Sequence, residues 1–135
     1  MTAPTAKPAV LISRCLLGIP CRYHGQLYRR GRRIGDAELV ERLRAEYRLI
    51  DICPECDAGM PTPRPPTKII EGCFICDGRD VTEVFRHGAE IALKLAKREG
   101  CRRAWLKNKS PSCDRRRGMC AKLLRENGID IEGVD

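Results

Sequence analysis

Aromatic side chains and long apolar runs are both scarce in this chain of 135 residues. Three Tyr, two Phe and one Trp offer too few stacking platforms for a surface dedicated to single-stranded nucleic acid. No apolar stretch approaches the roughly 20 residues that a membrane-spanning helix needs, and Met1 to Pro8 contains no apolar signal segment. We therefore expect one soluble, cytoplasmic domain over residues 1–135, with residues 1–7 as a flexible tail and with no membrane partner.

Cysteine, in contrast, is plentiful. The chain contains nine cysteines, an odd number, in a context without secretory features. Disulfide frameworks belong to oxidising compartments and use cysteines in pairs. The composition therefore favours reduced thiols that bind metal or take part in catalysis.

Positive charge is also in excess. The formal net charge is +8, and the basic clusters are Arg29–Arg30 with Arg32–Arg33, Arg102–Arg103 and Arg115–Arg117. Such clusters indicate an anionic partner such as a nucleotide or RNA. A solvated, arginine-rich surface without any partner is at least as consistent with the pattern.

Short apolar runs alternate with periodic segments along the chain. Strands are predicted at Ala9–Ile12, Arg48–Ile52 and Arg103–Lys107, with short pieces at Lys68–Ile70 and Phe74–Ile75 and an edge strand at Ile129–Ile131. Helices are predicted at Ala37–Tyr47 with Asp36 as N-cap, from a capping box at Asp80–Glu83 to Arg98, and at Gly118–Asn127. This order predicts an α/β protein: a small, single-domain, Rossmann-like three-layer fold with a mainly parallel sheet.

Three cysteines follow the carboxyl ends of the predicted strands. Cys15, Cys53 and Cys113 should meet at one edge of the sheet, where open α/β sheets bind ligands. Three thiolates leave one position of a tetrahedral metal, or one iron of a cubane cluster, open for a substrate. Glu55 and Ser110 should lie in the same cavity, where they suit proton transfer and hydrogen bonding.

Cysteine spacing supports a second interpretation. Cys53-x-x-Cys56 and Cys73-x-x-Cys76 match the two-knuckle pattern of structural zinc, which would make the protein a zinc-stabilised nucleic-acid-binding module. That site would leave three cysteines of ordered loops unexplained: Cys15, Cys21 and Cys113. In a third interpretation, Cys56, Cys73 and Cys76 are small apolar side chains that fill space.

Five blocks of the sequence, taken in order, resemble the DUF523 family, whose characterised members are thiouracil desulfidases. The blocks are Ser13 to Gly18 with Cys21-Arg22-Tyr23, Cys53-Pro54-Glu55, Gly59 to Pro66, Gly78 to Thr82, and Leu106-Lys107 with Ser110-Pro111-Ser112-Cys113. They extend over nearly the whole chain.

The resemblance implies a small α/β domain with an oxygen-sensitive [4Fe-4S] cluster that removes sulfur from 2-thiouracil, 4-thiouracil or a derivative. By the same resemblance, Cys15, Cys53 and Cys113 are the cluster ligands, and Glu55 and Ser110 are the catalytic pair. The open iron would polarise the C=S bond as a Lewis acid, and Glu55 would activate the attacking water. Ser110 would hydrogen-bond the substrate or relay a proton. Uracil and hydrosulfide would form without an external electron.

The chain departs from the resemblance at several places. His24 stands where family members often carry Asp, and Asp114 to Met119 replaces a longer glycine-rich segment. The added arginines would favour a nucleotide or tRNA as substrate over a free base. Cys21 is expected to support the cluster loop, with its use as a ligand in place of Cys15 as the alternative. Arg64 is expected to bind a substrate oxygen or loop carbonyls.

Four further residues are interpreted as structural rather than catalytic. They are His87 in the long helix, Cys101 at the start of a strand, Cys120 in the last helix and Trp105 in a strand interior.

Overall fold

The computed structural model describes residues 7–26, 28–29, 32–33 and 35–135. The strands are β1 (Ala9–Ser13), β2 (Tyr28–Arg29), β3 (Arg32–Arg33), β4 (Arg48–Ile52), β5 (Thr67–Ile70), β6 (Cys73–Cys76), β7 (Arg79–Asp80), β8 (Arg103–Lys107) and β9 (Asp130–Val134). The helices are α1 (Ala37–Glu46), α2 (Pro54–Asp57), α3 (Thr82–Glu99) and α4 (Met119–Glu126), with a 3-10 turn at Arg14–Leu17. Residues 1–6 of the predicted tail 1–7 and the side chains of the basic cluster around residues 29–33 lie outside the described part.

A four-stranded parallel sheet forms the centre of the molecule, in the order β4-β1-β8-β9. The three predicted core strands are confirmed, and the edge strand β9 begins one residue later and ends three residues later than predicted. Ser13 of β1 pairs with Ile52 of β4, so these two strands end side by side. The α/β, Rossmann-like fold with a parallel sheet is therefore confirmed.

Side chains of the central strands alternate between two apolar layers, as the pleat of a strand requires. Leu11 and Leu106 belong to the layer under α3 and α4, whereas Ile12 and Trp105 belong to the layer under α1. Complete burial of one such aliphatic side chain contributes about 1.5–3 kcal/mol. These two layers hold the sheet between helices, which gives the three-layer arrangement.

Helix α1 begins as predicted. The Asp36 carboxylate accepts a hydrogen bond from the Leu39 amide at 3.1 Å, which satisfies one of the free N–H groups of the first turn. The helix ends at Glu46, one residue before the predicted end. Tyr47 then packs beside Trp105, with ring centroids 5.4 Å apart.

The predicted capping box of α3 is wrong. Asp80 lies in β7, and its carboxylate accepts from the amide and the hydroxyl of Thr82, at 2.9 and 2.6 Å. The helix starts at Thr82 after Val81, and Glu83 pairs with Arg86. Val81 occupies the N-cap position and no side chain of the described part caps the first turn, so the end of β7 at Asp80 decides where α3 begins. The end is as predicted: Gly100 terminates the helix with φ 72°.

The predicted β-excursion is a three-stranded antiparallel sheet of β5, β6 and β7. Phe74 packs this sheet against α3, because the centroid of its ring lies 4.8 Å from the ring centroid of the fully buried Phe85. Among the helices of the described part, none is long and apolar enough to cross a membrane.

Candidate active site

One cavity opens at the carboxyl ends of β1, β4 and β8, and the five residues predicted for the site all line it: Cys15, Cys53, Glu55, Ser110 and Cys113. They come from three chain segments that are distant in sequence. The parallel sheet brings them together, because its strands all end at the same edge. Cys21 also lines this cavity.

Two glycines determine the shape of the loop that carries Cys15: one allows a left-handed turn and the other a close approach of the backbone. After β1 the chain makes a 3-10 turn that ends at Gly18, whose φ is 85° and whose amide donates to the Cys15 carbonyl at 3.0 Å. Gly35 packs against this turn so closely that a Cβ on it would lie 2.8 Å from the Gly18 nitrogen. The Cys15 thiol is therefore presented by a turn with little freedom to move.

Cys53 and Glu55 lie on the turn that follows β4. Pro54 begins the single-turn helix α2, a position where proline loses no hydrogen bond. The Asp57 carboxylate accepts from the Cys53 amide at 3.1 Å, and Arg14 forms an ion pair with Asp57 at 3.0 Å. Because Arg14 follows β1, this pair joins the ends of two neighbouring strands.

The loop after β8 is shaped by its own side chains. The Ser110 hydroxyl accepts from the amides of Ser112 and Cys113, at 3.3 and 3.2 Å. Gly118 packs against the same loop, since a Cβ there would lie 2.4 Å from the Ser112 carbonyl oxygen. The loop therefore presents Cys113 and both serines in one fixed arrangement.

The thiols of the cavity perturb one another. A hydrogen bond with the Cys15 thiol, partly opposed by one with Cys53, raises the pKa of Cys21 to about 12. The hydrogen bond with Cys21 and burial raise the pKa of Cys53, and burial raises the pKa of Cys113 to about 11. Metals bind thiolates and displace such protons. Several soft sulfur donors in one cavity are the donor set that iron-sulfur clusters use.

The two-knuckle zinc arrangement receives no support from the geometry. Cys73 and Cys76 lie in the extended strand β6, where Cys73 is exposed and Cys76 is buried and donates to the Pro65 carbonyl at 3.3 Å. Residues three positions apart in a strand point to opposite faces, so the two thiols cannot converge on one ion. Within the described ranges, no group of three or more His, Cys, Asp and Glu side chains is arranged to hold a single metal ion.

Arg64 is buried and binds protein groups. Its guanidinium forms an ion pair with Glu55 at 2.5 Å and donates to the carbonyls of Cys21 and Pro61 at 3.2 and 3.1 Å. Although burial acts to lower the pKa of Arg64, the Glu55 carboxylate raises it overall. Of the two predicted roles, binding of loop carbonyls is the one that the structure contains.

Sequence reasoning missed Ser112. This residue is only 2% exposed, and its hydroxyl donates to the Glu55 carboxylate at 3.1 Å. The Ser110 hydroxyl lies 3.2 Å from the Ser112 hydroxyl, so the contact between Ser110 and Glu55 runs through Ser112. The Ser-Pro-Ser-Cys block contains both serines, but the sequence pattern does not indicate which of them contacts Glu55.

The residues interpreted as structural lie apart from the cavity lining. Cys101 and Cys120 are buried in the apolar layer under α3 and α4, His87 is exposed on α3, and Trp105 packs in the layer under α1. His24 accepts a hydrogen bond from the Gln26 amide at 3.1 Å.

Comparisons with known proteins identify the family of this chain and agree with its fold. The family model of 2-thiouracil desulfurase matches residues 10–134. The solved structure of the [4Fe-4S]-dependent thiouracil desulfidase TudS (DUF523Vcz) has 37% sequence identity and a TM-score of 0.80, over 94% of this chain and 91% of that chain. The Bacillus subtilis (strain 168) protein named "Uncharacterized protein YbbK" is 35% identical over 115 residues, 77% of this chain and 72% of that protein. Because the family model spans nearly the whole chain, this protein belongs to the 2-thiouracil desulfurase family, the DUF523 group of thiouracil desulfidase-like enzymes.

Proposed function

We propose that this protein is a [4Fe-4S]-dependent desulfidase that converts a thiolated uracil to uracil and hydrosulfide without net electron transfer. The observation that carries the proposal is the convergence of three thiols, from three different strand ends, on a cavity that also contains a buried carboxylate. The desulfidase TudS, which shares the fold over 91% of its length, is described as [4Fe-4S]-dependent.

Cys15, Cys53 and Cys113 are the proposed cluster ligands. In a cubane cluster each thiolate binds a different iron, so the three sulfurs need not converge on one point as ligands of a single ion do. Three protein ligands leave one iron open, and that iron would supply a Lewis acid for the soft thiocarbonyl sulfur. Cys21 supports the loop, and it is the alternative ligand in place of Cys15.

Glu55 is the proposed general base. Glu55 is 7% exposed and lies in the cavity wall two residues after Cys53. It would take a proton from the water that attacks the thiolated ring carbon, and Ser110 would hydrogen-bond the substrate or relay a proton. The overall change is C=S plus water to C=O plus hydrosulfide and a proton, so no external oxidant or reductant is needed.

The proposed substrate is a small thiolated pyrimidine. A second cavity shares Thr67, Lys109, Ser110 and Pro111 with the first and is also lined by Arg116 and Arg117. These cations offer a phosphate-bearing derivative a place next to the reacting ring, so thiouracil and its 5′-nucleotide are the two substrates to compare. A tRNA substrate gains no support from these cavities.

The test begins with anaerobic purification and reconstitution. About four irons and matching sulfide per chain, followed by hydrosulfide release from 2- or 4-thiouracil, are the expected results. Zinc in a 1:1 ratio to the chain with no iron, or an iron-loaded protein that releases no hydrosulfide from any thiolated pyrimidine, would refute the proposal.

A further inference from the structure

We infer that Ser112 and Arg64 are positioning residues that hold the Glu55 carboxylate from its two sides, and that Ser112 is the hydroxyl that connects Ser110 to Glu55. The inference rests on the proposed function of Glu55. It names two residues that the resemblance had given no role in the reaction.

Arg64 fixes one oxygen of the carboxylate. Its Nε and Nη2 both donate to Glu55 Oε2, at 3.1 and 2.5 Å. The other three N–H groups donate to the Cys21 carbonyl, the Pro61 carbonyl and the Thr62 hydroxyl, at 3.2, 3.1 and 3.0 Å. All five donors of the guanidinium are thus used inside the protein. Arg64 therefore has no free donor for a substrate, and its function is exerted through Glu55.

Ser112 fixes the other oxygen. Its hydroxyl donates to Glu55 Oε1 at 3.1 Å, and its carbonyl accepts from the Cys120 amide of α4 at 2.9 Å. The rotation of a terminal carboxylate is otherwise soft. With Oε1 held by Ser112 and Oε2 held by Arg64, the plane of the carboxylate and the lone pairs that face the cavity are set before a substrate arrives.

The direction of the serine contacts follows from their donors and acceptors. The Ser110 hydroxyl already accepts two backbone amides, which leaves its proton to donate to Ser112. Ser112 in turn donates to Glu55. The order Ser110 to Ser112 to Glu55 joins the two proposed catalytic residues, which lie on loops after β8 and β4.

The decisive comparison is between two side chains of equal size at position 112. Ser112→Thr keeps the hydroxyl, whereas Ser112→Val has the same volume without it. In iron-loaded protein we expect S112V to lower kcat about 10- to 100-fold, the loss typical of a misplaced catalytic group, with KM within about twofold. S112T should stay within about threefold of the natural protein. If the added methyl group prevents folding of both, Ser112→Ala replaces S112V and the natural protein replaces S112T.

Arg64→Lys gives the second arm, because lysine keeps the charge but loses the planar fork. It should lower kcat, whereas Arg86→Lys on the surface of α3 should not. A readout independent of turnover is the infrared carboxylate stretch of Glu55, obtained as the difference between each protein and its Glu55→Gln counterpart. We expect this band to shift in S112V and R64K and to stay in place in R86K.

The outcomes separate this inference from the proposed function. Equal kcat and equal infrared bands for S112T and S112V would overturn the role of Ser112. A loss of kcat accompanied by loss of iron would make its role structural and would also overturn the inference. Full activity of Glu55→Gln would refute the proposed general base itself, whatever the Ser112 variants do.

Discussion

Gly88 of α3 packs directly against the Pro54 carbonyl group on the turn that carries Cys53 and Glu55. A Cβ on Gly88 would lie 2.2 Å from the Pro54 oxygen, far inside any van der Waals contact. The helix can approach the turn that carries Cys53 and Glu55 only because this position has no side chain. A glycine in the middle of a helix thereby supports the turn that carries the proposed general base.

Gly88→Ala is therefore expected to destabilise the protein, although the same change stabilises most helices by roughly 0.5–1 kcal/mol. The overpacking should cost about 1–3 kcal/mol and displace the turn that holds Glu55. Urea unfolding measures the first effect, and kcat of the iron-loaded protein measures the second. Glu90→Ala, at an exposed position of the same helix, is the control and should change stability by no more than about 0.5 kcal/mol. Unchanged stability of G88A would show that α3 does not pack this closely.

Cys113→Ala should abolish iron binding. Cys113 is 4% exposed and lines the cavity, whereas Cys101 is similarly buried at 7% and lies outside the cavity lining. Cys101→Ala is therefore the matched control: it removes a buried thiol but should keep the full iron and sulfide content. The measurement is iron and sulfide per chain after identical reconstitution. Equal iron in the two variants would remove Cys113 from the ligand set.

Cys73→Ala should leave stability and metal content unchanged. Its thiol is exposed on β6, and exposed positions away from special contacts usually tolerate substitution within about 0.5 kcal/mol. Under the zinc interpretation the same change would remove a metal ligand and unfold the chain. Unfolding curves and zinc per chain distinguish the two, and a variant that loses zinc and unfolds would restore the zinc-stabilised module.

Arg116→Ala combined with Arg117→Ala should raise KM for a thiouridine monophosphate several-fold and leave KM for free thiouracil within about twofold. The side chains line the second cavity, whereas the amides of both residues are occupied by Asp114. The difference should shrink at high salt, because screening weakens exposed charge pairs. Arg102→Ala removes an exposed arginine that lies outside this cavity lining and serves as control. Equal changes of KM for both substrates would place the phosphate elsewhere.

The positions of the core strands could be predicted because their signal is local. The run Arg48–Ile52 is bounded by a helix and a proline turn, and β4 has these same limits. The meeting of Cys15, Cys53 and Cys113 at one cavity also followed, because parallel strands end at one edge of a sheet whatever their separation in sequence.

Two local sequence patterns led to wrong predictions, because tertiary contacts compete with the structure that each pattern favours. The segment Asp80 to Glu83 matches the capping-box pattern. However, Asp80 belongs to β7, and α3 begins only at Thr82. Cys73 and Cys76 have the spacing of a zinc knuckle, but pairing with β5 extends the segment and points the thiols apart.

The sequence by itself determined the alternation of strands and helices that an α/β fold needs, the family, and the residue types gathered at the sheet edge. Only the tertiary structure decided which groups touch Glu55. Ser112 lies 57 positions away in the chain, and its contact depends on how the loops after β4 and β8 face each other. Arg64 reaches Glu55 because the segment from Gly59 to Pro66 contributes Arg64 and Pro66 to the lining of the same cavity. Such contacts arise from the packing of whole elements, and no periodicity or spacing in the chain encodes them.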